Sequence, residues 1–426
     1  MRRILLSSDG SSGDLLPMVL MAREFKRSGY DVCVCGSAEL SPMAQDFGVP
    51  YEPYPHNYSK LYLDNYRTGY LYNIRETMRH REMLFQGEYE LLSKIAPDFD
   101  VMITFLGDVF VPSIAEAFDL PNIKLFTFPV VPSGRYGPPA GLPFVTENSW
   151  VNRLEWYGAE KAARHLFSYY KTVNRLRGEL HLPPVRDLLA NNARCDHMMI
   201  GLYKELMPPC ESWRDFEYTY IGPCLPNTRV RLSEDLEAFL RSGSKPIYIG
   251  FGSMRHANSE QLTRVLLDAV QDAGVRAVIA QNNSEIGTDV RESENVFVLR
   301  DYPIPHHVLF PRLKAAVHHG SWITTHLAAR AGIPQLVLPQ ANDQYLWADL
   351  LSKRGLGPRG VDMNRMKPRK LSAAIEQLTR RHEYESNARA LAQRVAGIDG
   401  AKNAVRLFER LQGRLQAEKR LSVAMA

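Results

Sequence analysis

The chain has 426 residues, too many for one ordinary domain, so two are expected. Its 45% hydrophobic content is that of a soluble globular protein, and a net charge of +5 with no basic block argues against nucleic acid as a partner. No apolar run approaches the ~20 residues of a membrane span, although the mild positive charge leaves room for peripheral contact with an anionic membrane. The 5 cysteines, Cys33, Cys35, Cys195, Cys210 and Cys224, are odd in number and lack zinc spacing, which fits reduced thiols in a cytoplasmic protein. The apolar start after Met1 is too short for a signal-peptide core.

In chain order, residues 4–8 read as a strand, residues 10–14 (GSSGD) as its turn, and Met18, Met21, Ala22 and Phe25 as the apolar face of a helix stopped by Gly29. Residues 31–35 form the next strand, so the chain opens as a βαβ unit of an α/β protein. The turn lacks the G-x-G-x-x-G spacing of a dinucleotide fingerprint. Asp14 on this turn is either a helix cap or a functional carboxylate. Residues 51–72 are tyrosine-rich and predict a loop giving way to a helix; Tyr58 and Tyr62 are candidates for an apolar pocket with polar handles. Residues 100–105 and 122–126 are strands, and Asp108 follows the first of them, on the same rim as Asp14.

Residues 135–190 break the alternation, with a loop at Tyr136 followed by a long helical segment that carries Trp156, Tyr157, Tyr169 and Tyr170. Residues 198–202 and 218–223 are short strands before a polar linker at 225–233. Beyond it come a helix at 234–240 and a buried strand at 246–251 that ends in Gly252 and Ser253. Glycine lets backbone approach a ligand, and the serine hydroxyl can donate to an anion. Residues 275–280 and 296–299 are further strands, followed by a loop that carries Ile304.

The stretch from 315 to 347 is the most informative. An apolar strand ends at His318, His319 and Gly320; hydroxyl residues lead into a helix predicted from Thr325 to Ala331; a second strand, 335–338, ends just before Asp343 and Gln344. Both loops lie at the carboxyl ends of strands in an open parallel sheet, where such folds bind ligands, and the first feeds a helix N-terminus suited to phosphate. Helices at 368–379, 383–395 and 401–415 complete the chain.

The stretch His319-Gly320-Ser321-Trp322-Ile323-Thr324, with Gly332-Ile333-Pro334 and Asp343-Gln344, resembles the donor signature of the UDP-glycosyltransferase superfamily. The turn Gly10-Ser11-Ser12-Gly13-Asp14-Leu15-Leu16-Pro17 is similar to the start of its sterol, glycolipid and antibiotic glycosyltransferases, and the layout of 135–190 is similar to an acceptor-side insert. The resemblance implies a GT-B fold: two Rossmann-like domains with parallel sheets facing a central cleft. An acceptor domain would span 1–224 and a donor domain 234–400, with a last helix at 401–426 returning to the first domain.

It further implies an inverting transfer of a hexose or deoxyhexose from a UDP- or dTDP-sugar to a hydroxyl of a hydrophobic small molecule, such as a secondary metabolite, sterol or lipid. Asp14 would be the general base, assisted by Asp108. Ser253, Ile304, His319, Gly320, Ser321, Trp322, Thr324, Asp343 and Gln344 would hold the donor, and Ser12, Tyr58, Tyr62 and Tyr136 the acceptor. The nucleotide sugar is a cosubstrate, with no cofactor and no metal motif, and the chain would act as a monomer or homodimer. Ser12 stands where the family often has Arg. Ile323 stands where it has Gly or Asn, which predicts a reshaped diphosphate loop, because a β-branched residue resists positive φ. The plant-type ribose-binding Glu falls at Leu327, so a UDP preference is not implied. Two alternatives stay open: an enzyme like UDP-N-acetylglucosamine 2-epimerase, or a non-catalytic nucleotide-sugar-binding protein.

Overall fold

The computed structural model describes residues 2–57, 70–129, 131–138, 145–165, 169–252, 258–281, 284–288, 290–300, 304–340, 343–363 and 366–425, with backbone alone for 70–82, 163, 165 and 415–425. The first part of the chain builds β1 (Arg3–Ser8), α1 (Ser12–Arg27), β2 (Asp31–Gly36), α2 (Ser41–Asp46), β3 (Tyr51–Pro53), α3 (Tyr70–Ile95), β4 (Val101–Phe105), α4 (Val111–Ala117), β5 (Asn122–Phe126), α5 (Ser149–His165), α6 (Tyr169–Glu179), α7 (Leu188–Ala193), β6 (His197–Ile200) and β7 (Tyr218–Tyr220). Among the described residues its strands form one sheet in the order β3-β2-β1-β4-β5-β6-β7, parallel throughout. β4 and β5 are buried along their whole length, as strands covered by helices on both faces must be.

The second part builds α8 (Glu234–Arg241), β8 (Ile247–Gly250), α9 (Ser259–Ala273), β9 (Ala277–Ala280), β10 (Val296–Leu299), α10 (His306–Leu309), β11 (Ala315–His318), α11 (Trp322–Ala331), β12 (Gln335–Val337), α12 (Gln344–Lys353), α13 (Pro368–Arg380), α14 (His382–Val395) and α15 (Gly400–Met425). Its parallel sheet runs β10-β9-β8-β11-β12. Each sheet therefore reverses its winding once, between β1 and β4 in the first and between β8 and β11 in the second. Loops diverge to opposite faces at such a point and leave a crevice at the strand ends.

Apolar clusters cover both faces of each sheet, and one of them runs from the second sheet into the first, joining Phe126, Met198 and Tyr203 to Ala316 and Trp347. Arg354 Nε donates to the Glu205 carbonyl at 2.8 Å, and Lys353 pairs with Glu147 at 2.8 Å, so α12 is tied to the first part of the chain. α15 returns to pack on α1, where the Phe408 ring meets Phe25 and Tyr30 edge-on, each at 5.4 Å.

Residues 135–190 hold α5, α6 and the start of α7. The structure corrects one element assignment. α11 begins at Trp322, three residues before the expected Thr325, because Ser321 caps it: the Ser321 Oγ accepts from Thr324 N–H at 3.3 Å and donates to Thr324 Oγ1 at 3.0 Å. Among the described residues, no helix is long and apolar enough to cross a membrane, and no cluster of His, Cys, Asp or Glu could hold a metal ion.

Candidate active site

The crevice of the first sheet opens on the β1–α1 corner. β1 delivers Ser8 and Asp9, Gly10 turns the chain, and Ser11 starts α1 as its N-cap. Asp14, third in the helix, returns its Oδ2 to the cap, accepting from Ser11 N–H and Ser11 Oγ, both at 2.9 Å. This reciprocal arrangement fixes the carboxylate at the mouth of the crevice, half-buried and beside the positive end of the helix. Gly10 is required, since a Cβ there would lie 2.6 Å from Asp14 Oδ2. Ser12 opens the same helix and is half-buried.

Asp108 lies behind the corner and is fully buried, accepting from Ser7 Oγ and from Asp9 N–H, both at 3.1 Å. Ser7 also meets Tyr54 Oη at 2.8 Å, and Asp9 Oδ1 meets His56 Nε2 at 3.0 Å. Asp108 thus anchors the loop that presents Asp14. The fully buried Lys124 lies near enough for the charge of Asp108 to act on it, and burial lowers that ammonium to about 8; its Nζ donates to Asn192 Oδ1 at 2.7 Å.

The crevice of the second sheet is formed by the loops after β8 and β11. Gly320 turns the chain at φ 97°, and a Cβ there would meet Val337 Cγ1 at 2.8 Å. Its N–H donates to His318 Nδ1 at 3.1 Å, which fixes the tautomer: the other nitrogen, Nε2–H, donates to Gln335 Oε1 at 3.0 Å. Gln335 in turn donates to the Thr325 carbonyl at 3.2 Å, so strand, loop and helix start are laced together. Ile323 falls inside α11 and is not among the positive-φ residues; the left-handed residue of this loop is Gly320. The open end of α11 presents backbone N–H groups and a positive dipole end to the crevice.

His319 is 7% exposed, and its ring lies over Gly252, where a Cβ would come within 3.2 Å of His319 Cε1. Burial, with His318 next and a backbone bond to Gly250 opposing, pushes the imidazole down to about 3. The ring is therefore neutral at pH 7, and its Nδ1 has no partner among the described residues. Its Nδ1 is placed to hydrogen-bond a ligand. Ser321 and Thr324 are occupied in the cap; Trp322 is 4% exposed and packs on His326 with ring centres 5.8 Å apart.

The two crevices face each other. Asp343, at the start of α12, has its carboxyl pushed up to about 7, first by burial and then by the negative charge of Asp14 on the opposite rim. Some of its surface still reaches solvent, yet protein crowds it on most sides. Trp347 Nε1 donates to its Oδ2 at 2.9 Å. Gln344 is buried, and its Oε1 accepts from Gln340 N–H at 2.8 Å. From the first sheet, Tyr203 reaches across to His326, ring to ring at 5.2 Å.

Asp14, Asp343, Gln344, His319, Gly320, Ser321 and Thr324 therefore lie along the two facing crevices. Tyr136 is 3% exposed, packs on Trp213 and donates its hydroxyl to the Pro208 carbonyl at 2.8 Å. Ile304 is buried in the apolar cluster between the sheets. Ser253, Tyr58 and Tyr62 lie outside the described residues. His318, Gln335, His326 and Tyr203 were not anticipated. The pair of adjacent histidines was the only signal for His318, which orders the loop while His319 faces Gly252.

Residues 250–405 match the family described as Erythromycin biosynthesis protein CIII-like, C-terminal domain. The chain is 30% identical to the glycosyltransferase GtfC of Amycolatopsis orientalis over 420 residues, 95% of this chain and 97% of that one. It is 25% identical to a sterol 3-beta-glucosyltransferase of Arabidopsis thaliana over 423 residues, 94% of this chain and 66% of the relative. A solved glycotransferase of kitacinnamycin superposes with a TM-score of 0.70 at 17% identity, covering 96% of this chain and 98% of that one. The two facing parallel sheets are a GT-B fold, and the chain is a glycosyltransferase that belongs to the UDP-glycosyltransferase superfamily.

Proposed function

We propose that the enzyme moves a hexose or deoxyhexose from a UDP- or dTDP-sugar to a hydroxyl of a hydrophobic small molecule, with inversion at the anomeric carbon. The observation that carries this is the opposition of Asp14 on one rim to Asp343 and the α11 N-terminus on the other. The diphosphate would sit at the start of α11, where helix dipole and N–H groups meet its charge and neutral His319 adds a hydrogen bond. Asp343 and Gln344 would bind sugar hydroxyls. Asp14, held by its cap, would take the acceptor proton as the hydroxyl attacks from the far side. Asp108 would act through the loop it anchors, not on the substrate.

On this reading residues 1–224 form the acceptor half, 225–233 the linker and 234–400 the donor half. The sterol-glucosylating relative supports a bulky apolar acceptor. The test is turnover of α-linked UDP- and dTDP-sugars with a panel of hydrophobic alcohols, with product configuration read by NMR. A β-linked product supports the proposal. An α-linked product removes the single displacement. An epimerised free sugar favours the epimerase, and binding without turnover favours a non-catalytic protein.

A further inference from the structure

α5 carries an apolar stripe that the fold leaves uncovered. Trp150, Leu154 and Tyr157, spaced by four and three residues, share one helical face and are 71%, 51% and 61% exposed. Only Met83 and Val230 join them as exposed large hydrophobics among the described residues, so most of the exposed apolar bulk lies on this one helix. A stripe of this kind marks an interaction surface. Its flanks are cationic: Arg153 and Arg164 are exposed and Lys161 half-exposed. The Lys161 ammonium lies 5.2 Å from the centre of the Tyr157 ring, and the Arg164 guanidinium 5.2 Å from that of Tyr170. The acidic residues of the helix are less exposed: Glu155 and Glu160 are partly buried, and Glu160 Oε1 accepts from Tyr170 Oη at 2.7 Å.

Aromatic and aliphatic residues flanked by Lys and Arg are the composition of a helix that lies in a bilayer interface. We propose that α5 docks the enzyme, weakly and reversibly, on an anionic phospholipid surface. Charge decides for lipid over a protein partner: a patch whose three cations outnumber its one exposed carboxylate, Asp187, fits a surface that is uniformly negative. A cavity of about 570 Å³ adjoins the stripe; Arg153, Trp156, Tyr157 and Glu160 of the same helix line it beside Asp187 and Phe216. A hydrophobic molecule leaving the bilayer would meet this cavity without crossing water.

The test is sedimentation of the full chain with vesicles of phosphatidylcholine alone and of phosphatidylcholine mixed with phosphatidylglycerol, without nucleotide sugar, so that the outcome is independent of the transfer reaction. Binding to the anionic vesicles is expected to exceed that to the neutral ones by about tenfold or more. Trp150→Ser with Leu154→Ser should lower it by about tenfold, and Lys161→Glu with Arg164→Glu should remove the preference for anionic lipid. Both pairs are at the surface, so the unfolding temperature should stay unchanged. No sedimentation of the wild type, or sedimentation unaltered by both pairs, overturns the proposal. So does a dimer in analytical ultracentrifugation that Trp150→Ser with Leu154→Ser dissociates, since the stripe would then bind a second copy.

Discussion

On the rim of the second sheet the described turns are tied in a chain: Gly320 N–H to His318, His318 to Gln335, Gln335 to the helix start, with Ser321 to Thr324 and Gln344 to Gln340 beside it. The rim of the first sheet is held by separate ties: Ser11 to Asp14, Asp108 to Asp9, Tyr51 to the Ser37 carbonyl and Asn192 to the Leu106 carbonyl. A diphosphate has a fixed shape and charge, so a rigid cradle suits it. On the proposed reading only the base must be fixed for the acceptor, whose bulk falls to the surrounding loops and helices. The difference would then divide specificity: leaving-group binding at the strand ends of one sheet, acceptor choice in the segments around the other.

Asp14→Asn probes the contrast most strongly. Transfer should fall by about 10³-fold, within the range for loss of a general base, while nucleotide binding by calorimetry stays within about twofold. Equal loss of both would mean that Asp14 supports the cleft structurally. Gly320→Ala should do the reverse: the left-handed φ and the clash with Val337 should weaken nucleotide binding by about tenfold or more and lower stability by about 1–3 kcal/mol in a denaturant titration.

Asp343→Asn keeps an acceptor for Trp347 but removes the ionisation. The wild-type carboxyl rises from its ordinary 3.8 to about 7 on folding, so its contribution is fully present below about pH 4 and is lost as pH rises through 7. The variant should therefore be the more stable protein above pH 7, by up to a few kcal/mol, with the gap closing toward pH 4. A gap that does not change with pH would show that Asp343 titrates normally. Gln335→Ala, which strands the buried His318, should have the smallest effect, about 1 kcal/mol in stability with nucleotide affinity lowered less than by Gly320→Ala.

Much of this was legible in sequence. Apolar runs placed the central strands, and Gly10, Asp14, Gly320 and Ser321 announced the two corners because turn and cap geometry admits few residue types there. The start of α11 was misplaced because Trp322 and Ile323 read as loop, although Ser321 with Thr324 three positions on was already a cap signal. The structural role of His318 was not legible, since its partner Gln335 comes from a neighbouring strand. Nothing local to Tyr136 reveals that its hydroxyl is taken by Pro208.

Calorimetric titration of the purified enzyme with UDP and, separately, dTDP is the most direct test of a working donor cradle facing Asp14. Saturable binding of one nucleotide at a single site is expected, weakened by Gly320→Ala and untouched by Asp14→Asn. Absence of binding by both nucleotides would contradict the account, because the helix end, the neutral His319 and the ordered Gly320 turn would then hold no diphosphate.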